Sequence, residues 1–189
     1  ARKILVLGEV RDGSLRNVSF EAIAAGKVAA EGGEVVGVLI GDSVQSLGSE
    51  LIQYGADRVV VVEDEKLKQY TSDGYSQALL QVIENESPEG LIIGHSAQGK
   101  DLAPRIASKL ESGLISDVTA IEEAGGNVVF VRPIYSGKAF EKKIIKDGLI
   151  FATIRPNNIA PLAKNESRTG EVTALSVEIK DLRAIIKDV

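Results

Sequence analysis

Four times within its first 110 residues, the chain follows a short apolar run with a stretch whose apolar residues recur at helical spacing. The runs Ile4 to Leu7, Val35 to Ile40, Val59 to Val62 and Leu91 to Ile93 contain no polar side chain, the pattern of strands buried on both faces of a parallel sheet. Phe20, Ile23, Ala24 and Val28 form one helical stripe, and Val44, Leu47 and Leu51 a second. Tyr75, Ala78, Leu79, Val82 and Ile83 form a third, and Leu102, Ile106, Ala107 and Leu110 a fourth. Parallel strands need crossover connections, and right-handed crossovers lay helices over both faces of the sheet. The expected fold class is therefore α/β, an open doubly wound, mainly parallel sheet with helices on both faces. Strand order is not encoded in this pattern.

Punctuation supports the periods. Asn17, Ser43 and Asp73 stand where helix N-caps are wanted, and Gly32-Gly33, Gly55 and Ser87-Pro88 where helices stop. After Leu110 the chain turns to alternation at Ser116 to Ile121, Val128 to Val131, Phe140 to Ile145, Leu149 to Ile154 and Val172 to Val177. Gly125-Gly126-Asn127 and Asp147-Gly148 tolerate the positive φ of tight hairpins, so this half is expected to add antiparallel strands to the parallel core. Residues 1–189 read as a single α/β domain: βα repeats over 1–112, a β-rich extension over 113–180, and the start of a linker helix over 181–189, marked by Leu182 to Ile186.

Composition removes several chemistries. The absence of cysteine excludes disulfides, thiolate nucleophiles and iron-sulfur clusters held by this chain. A single histidine, His95, excludes a histidine cage for a metal. With 22 basic against 27 acidic residues there is no overall field to attract a polyanion, and nucleic acid is not expected as a partner. No apolar run reaches the length of a membrane span and the amino terminus opens on a strand-like segment, so membrane insertion is not expected. The expected location is cytoplasmic in a bacterium or archaeon, or the mitochondrial matrix in a eukaryote.

The sharpest local motif is Gly94-His95-Ser96-Ala97-Gln98-Gly99-Lys100-Asp101, which follows a strand, opens a helix and spaces Gly94, Gly99 and Lys100 as a phosphate-binding loop does. Asp101 stands where such a loop needs a magnesium-binding hydroxyl, and a carboxylate there repels phosphate. A plain strand-to-helix turn is the stronger reading. The alternative is a small nucleotide-binding or anion-binding α/β protein using Gly94, Ser96, Gly99 and Lys100, with backbone amides of the first turn as donors. His95 lacks a Gly-x-Ser-x-Gly nucleophile segment and reads as a polar turn residue; no catalytic residue is assigned. Glu63-Asp64-Glu65 and Glu122-Glu123 read as solvated loop carboxylates, and no metal site is assigned. The loop Gly8 to Ser14 sits where a doubly wound fold places ligands but lacks a dinucleotide fingerprint, and Arg11-Asp12 reads as a hairpin-like turn. Arg132, Tyr135, Lys138 and Arg155 combine cations and an aromatic in the β-rich half. They are candidates for a docking surface, against a structural pairing such as Arg155 with Asp117.

Several of these segments together resemble the amino-terminal domain of electron-transfer flavoprotein alpha subunits, a group that includes nitrogen-fixation-associated members. The most characteristic is Gly94 through Leu110 followed by Ile115-Ser116-Asp117-Val118. Ile4-Leu5-Val6-Leu7-Gly8-Glu9, Gly32-Gly33-Glu34-Val35, Arg132 through Ala139 and Thr153-Ile154-Arg155-Pro156 support it in the same order along nearly the whole chain. The resemblance implies a Rossmann-like fold of the adenine-nucleotide-hydrolase-like kind. It implies a scaffold role in a heterodimer with a beta subunit, where FAD carries electrons from dehydrogenases to a quinone reductase or another acceptor. In such proteins FAD is held chiefly by a second alpha domain that opens on a Ser-Gly-Gly-Arg-Gly type segment, which is not found here. The chain is expected to bind no cofactor alone, as a fragment or a naturally split subunit.

Overall fold

The computed structural model describes residues 1–181. In chain order the elements are β1 (Lys3–Leu7), the two-residue strands β2 (Val10–Arg11) and β3 (Ser14–Leu15), α1 (Asn17–Ala30), β4 (Glu34–Gly41), α2 (Gly48–Gln53), β5 (Arg58–Glu63) and α3 (Ser72–Glu86). They continue with β6 (Gly90–Gly94), α4 (Ala97–Leu110), β7 (Ile115–Val118), β8 (Ala120–Ala124), β9 (Asn127–Ile134), β10 (Ala139–Ile144), β11 (Ile150–Ile154) and β12 (Val172–Ala174). Short 3-10 turns at Gln45–Leu47 and Glu65–Leu67 precede α2 and α3. The expected helix at Leu182 to Ile186 lies outside the described residues.

Seven strands form one sheet in the order β12-β5-β4-β1-β6-β11-β7, and every pairing in it is parallel. Alternation along each strand divides the core. Ile4 and Val6 of β1 pack with α1 and α2, while Leu5 and Leu7 pack with α3 and α4. Helices therefore cover both faces, as the continuous apolar runs require. The chain steps outward from β1 through β4 to β5 and then returns to the other side of β1 at β6, so the order reverses between β1 and β6.

The β-rich half adds antiparallel strands, as the sequence reading expects, but not all of its strands are of that kind. Its antiparallel strands do not join the parallel sheet; they make a sheet of their own in the order β10-β9-β8. β11 and β12, expected among the antiparallel strands, join the main sheet in parallel. The physical reason is visible in β11, where Phe151, Ala152, Thr153 and Ile154 are all buried, the same two-faced burial as the first four strands. The run Ser116 to Ile121 breaks at Thr119, which donates its backbone N–H to Val131 O at 2.8 Å, so β7 enters the main sheet and β8 the small one.

The capping residues also differ. Arg16, not Asn17, occupies the N-cap of α1 and makes no side-chain cap. α3 is capped by Thr71, whose side chain accepts from Gly74 N, and Asp73 sits in its first turn. Ser43, at φ 63°, precedes the 3-10 turn without capping it. The stop at Ser87-Pro88 is as expected, with Ser87 left-handed at φ 48°.

α1 buries most of its residues rather than one stripe, because it lies between the main sheet and the antiparallel one. Glu21 is carried inside by this packing and is only 2% exposed. Its Oε2 accepts from Asn157 N at 2.9 Å, but Oε1 has no hydrogen-bond partner. Burial pushes its pKa up, with the Asn157 N–H pulling the other way. A raised carboxyl pKa means that the folded state holds the proton more tightly than the unfolded state, so stability falls as pH rises above the ordinary value of 4.5. Glu21→Gln keeps an acceptor for Asn157 and removes the ionisation. It is expected to stabilise the protein at pH 7 by about 1 kcal/mol, or roughly 3 °C in Tm, and to lose that advantage near pH 4. Thermal unfolding of both proteins at the two pH values checks this; an equal or lower Tm for the variant at pH 7 contradicts it.

Among the described residues no helix is long and apolar enough to cross a membrane.

Candidate functional site

In an open parallel sheet a ligand binds at the carboxyl ends of the strands where the order reverses, here between β1 and β6. The loops that meet there are Gly8 to Arg16 and His95-Ser96. Ser96 caps α4, its hydroxyl oxygen accepting from Gly99 N at 3.1 Å, and it donates its hydrogen to Glu9 Oε1. Arg16 NH1 donates to Glu9 Oε2 at 3.1 Å. The backbone of Glu9 is held as well, its N–H donating to Ser19 Oγ at 2.8 Å. Glu9 is 7% exposed. The residue that caps α4 thus already bonds a carboxylate from the chain itself, beside a helix start that attracts anions.

Beside it lies an open crevice of about 390 Å³, lined by Glu9, Val10, Arg11, Tyr70, Ala97, Gln98 and Asp101. Tyr70 donates its hydroxyl to Asp101 Oδ2 at 2.6 Å, and burial together with that carboxylate drives the phenol pKa up. A phosphate entering the crevice meets Glu9 and Asp101. The glycine spacing that suggests a phosphate loop has a packing cause instead. A Cβ on Gly94 would lie 2.8 Å from Val18 Cγ2, and one on Gly99 would lie 1.7 Å from the carbonyl oxygen of Gly94. Lys100 is exposed on α4. The carboxylates of Glu9 and Asp101 do not suit the diphosphate of a flavin.

A second polar cluster closes the ends of β6, β11 and β7. His95 Nδ1 lies 2.9 Å from Thr153 Oγ1, which accepts from Asp117 N at 3.0 Å. His95 Nε2 lies 3.9 Å from Asp117 Oδ1. Asp117 is left-handed at φ 64°, where the β7–β11 register shifts, and Arg155 holds its carboxylate with two bonds of 2.9 and 2.5 Å. The guanidinium keeps Asp117 below the usual carboxylate range. Burial pushes His95 below its ordinary pKa, and Lys100, Arg155 and Arg132 act in the same direction against Asp117. That direction favours the uncharged ring, and Thr153, bonded to both His95 and Asp117 N, links the three strand ends.

The acidic groups are similarly engaged. Glu63 accepts from Val44 N at 2.7 Å, Asp64 caps its 3-10 turn, Glu122 pairs with Lys142 at 3.6 Å and Glu123 accepts from Gly126 N at 2.9 Å. Among the described residues no three His, Asp or Glu side chains gather as metal ligands.

The four docking candidates fall into two places. Tyr135 and Lys138 share the tight turn between β9 and β10, with Tyr135 77% exposed. Arg132 lies on the inner face of that hairpin, 3.4 Å from Glu141, and together with Arg155 acts on Asp117. The pairing of Arg155 with Asp117, offered by the sequence as the alternative to docking, is present. The sequence reading missed Phe140 and Ile144, 66% and 42% exposed. Phe140, Lys142 and Ile144 pair with Pro133, Val131 and Val129 and so share one sheet face. The alternation Phe140-x-Lys142-x-Ile144 was the available signal, but a period of two does not say which face meets water.

The family profile for the electron transfer flavoprotein domain matches residues 4–180. The chain belongs to the electron transfer flavoprotein family. An electron transfer flavoprotein subunit alpha of Bacillus subtilis is 58% identical over 188 residues, covering 100% of this chain and 58% of that protein. One from Syntrophomonas wolfei is 38% identical over 78% of this chain and 46% of its own length. An acryloyl-CoA reductase electron transfer subunit beta of Anaerotignum propionicum is 42% identical over 64% of this chain and 34% of its own length. This electron transfer flavoprotein chain thus spans little more than half the length of the relatives it matches along its whole course.

Proposed function

We propose that this domain is a scaffold of an electron-transfer flavoprotein alpha subunit, supplying shape and contact rather than redox chemistry or catalysis. In the complete heterodimer it supports FAD-mediated transfer of electrons from dehydrogenases to a quinone reductase or another acceptor, with FAD held outside the residues described here. The observation that carries the reading is the crevice at the sheet's switch point: it is lined by the carboxylates of Glu9, bonded to Ser96 and Arg16, and Asp101. Residues from both halves of the chain share the seven-stranded sheet, which supports reading them as one domain.

Docking of the beta subunit is assigned to the outer face of the β9–β10 hairpin, with Tyr135, Lys138, Phe140 and Ile144, while Arg132 and Arg155 brace the base of the surface. Exposed aromatic residues with cations around them are the composition of interface anchors. The purified chain is expected to be colourless and to bind the beta subunit of its own electron-transfer pair. Phe140→Glu changes a side chain that is already largely in water, so folding is retained, and affinity is expected to fall by roughly 30-fold or more. Titration calorimetry against the beta subunit reads this, with circular dichroism as the folding control. Equal binding by the variant, or no binding by the parent chain, removes the assigned surface; stoichiometric flavin in the purified chain removes the scaffold reading. Calorimetry with ATP and AMP is expected to give no heat, and a heat lost in Lys100→Ala transfers the function to the Gly94 to Lys100 loop.

A further inference from the structure

Beyond β12 the chain stays extended but leaves the sheet. Leu175 N still donates to Val61 O at 2.9 Å. Thereafter Leu175, Val177 and Ile179 turn toward the core under α3 and α4, while Ser176, Glu178 and Lys180 face water. This is the period of a strand. In place of a neighbouring strand stand two glutamines of α3. Gln81 Nε2 donates to Glu178 O at 2.8 Å, and its Oε1 accepts from Glu178 N at 3.1 Å. Gln77 Nε2 donates to Lys180 O at 2.8 Å, and its Oε1 accepts from Lys180 N at 2.7 Å.

Each side-chain amide offers one residue the donor and acceptor that a paired strand would offer. The geometry permits two such rungs in succession. Four residues along a helix rise about 6 Å and two along a strand about 6.6 Å, so glutamines at i and i+4 meet alternate residues of an extended chain. The second hydrogen of each amide is also placed. Gln77 Nε2 lies 3.2 Å from Asp73 Oδ2, Arg105 donates to Asp73 Oδ1 at 3.2 Å, and Gln81 Nε2 lies 3.2 Å from Gln77 O. These bonds fix which end of each amide is the donor. Lys66 Nζ donates to the intervening carbonyl, Ile179 O, at 3.0 Å.

We infer that Gln77 and Gln81 form a two-rung docking site for extended main chain, occupied by residues 178–180 of this chain, which fixes the line along which the backbone crosses α3. The rungs contact only backbone atoms at 178 and 180, so side-chain identity there is immaterial to them. Register comes from Ile179, buried between the rungs. The inference is independent of the functional reading above, since it concerns only how this segment is held.

Amide hydrogen exchange on the whole chain tests it. Glu178 and Lys180 are expected to be protected despite their exposed side chains. In the double variant Gln77→Glu/Gln81→Glu each donor becomes an acceptor facing a carbonyl, and exchange at both amides is expected to rise at least tenfold, with faster trypsin cleavage after Lys180. Leu5 and Ile92 in the central strands are expected to keep their protection. Absence of protection at 178 and 180 in the parent chain, or unchanged protection in the variant, overturns the inference. If the double variant also loosens the core, Gln81→Met alone decides: fast exchange at Glu178 with Lys180 retained supports separate rungs, and equal loss at every amide overturns them.

Discussion

Gly99→Ala is expected to destabilise the protein by about 3 kcal/mol or more, at the upper end of what overpacking costs. The reason is backbone against backbone. α4 crosses the end of β6 so closely that a Cβ on Gly99 would stand 1.7 Å from the Gly94 carbonyl oxygen, and neither atom belongs to a side chain that can rotate away. Relief requires α4 to move off the strand, loosening Leu102, Ala103 and Ile106, all fully buried against the sheet. For a chain of this size the loss corresponds to roughly 6–12 °C in Tm. Gly113 is the control: a Cβ there meets nothing within 4 Å, so Gly113→Ala is expected to stay within about 0.5 kcal/mol of the parent. Thermal and urea unfolding of the three proteins provides the comparison, and a Gly99→Ala chain as stable as Gly113→Ala would refute the packing account of this glycine pair.

The second large effect is expected in acid. Glu86 ends α3, where the helix dipole disfavours a negative charge. Arg58 offsets this with bonds of 2.5 and 3.3 Å to the carboxylate, and Lys3 Nζ lies 2.8 Å from Glu86 Oε1. The arginine bonds, ahead of the opposing effect of burial and the lysine, hold the Glu86 pKa down at about 2 from 4.5. A depressed carboxylate contributes stability that is complete above pH 4.5 and is lost as pH falls through about 2. The shift corresponds to about 3 kcal/mol, and Glu86 is only 8% exposed, so solvent screens it little. Glu34, also bound by Arg58, is 41% exposed and adds little. Arg58→Met is expected to cost about 3 kcal/mol at pH 7 and to flatten the decline in stability between pH 4.5 and 2. Urea midpoints of both proteins across that range measure it; parallel pH profiles would show that the carboxylate does not depend on the guanidinium.

The fold was legible where burial alone sets the pattern. Ile4 to Leu7, Val35 to Ile40, Val59 to Val62 and Leu91 to Ile93 became β1, β4, β5 and β6, because a strand covered on both faces leaves no place for a polar side chain. Leu149 to Ile154 bears nearly the same signature, yet it was grouped with the hairpins around it; strand partners far apart in sequence leave no local mark. Caps were misplaced by one or two residues because Thr71 and Asp73 are both good capping types, and only the backbone angle at Thr71 chooses between them. The candidate site was legible as a location, the loop from Gly94 to Lys100, but its content was not. Glu9 lies 87 residues from Ser96 along the chain, and nothing local announces that one carboxylate closes the opening of the other loop.

That closure has a thermodynamic corollary. A receptor whose pocket is empty gains stability when its ligand is added, and its unfolding midpoint follows ligand concentration. Glu9 is tethered to α4 by the polypeptide itself, so its local concentration never varies. The bond between Ser96 and Glu9 therefore contributes to the fold at a strength that does not vary with the nucleotide or phosphate content of the surroundings.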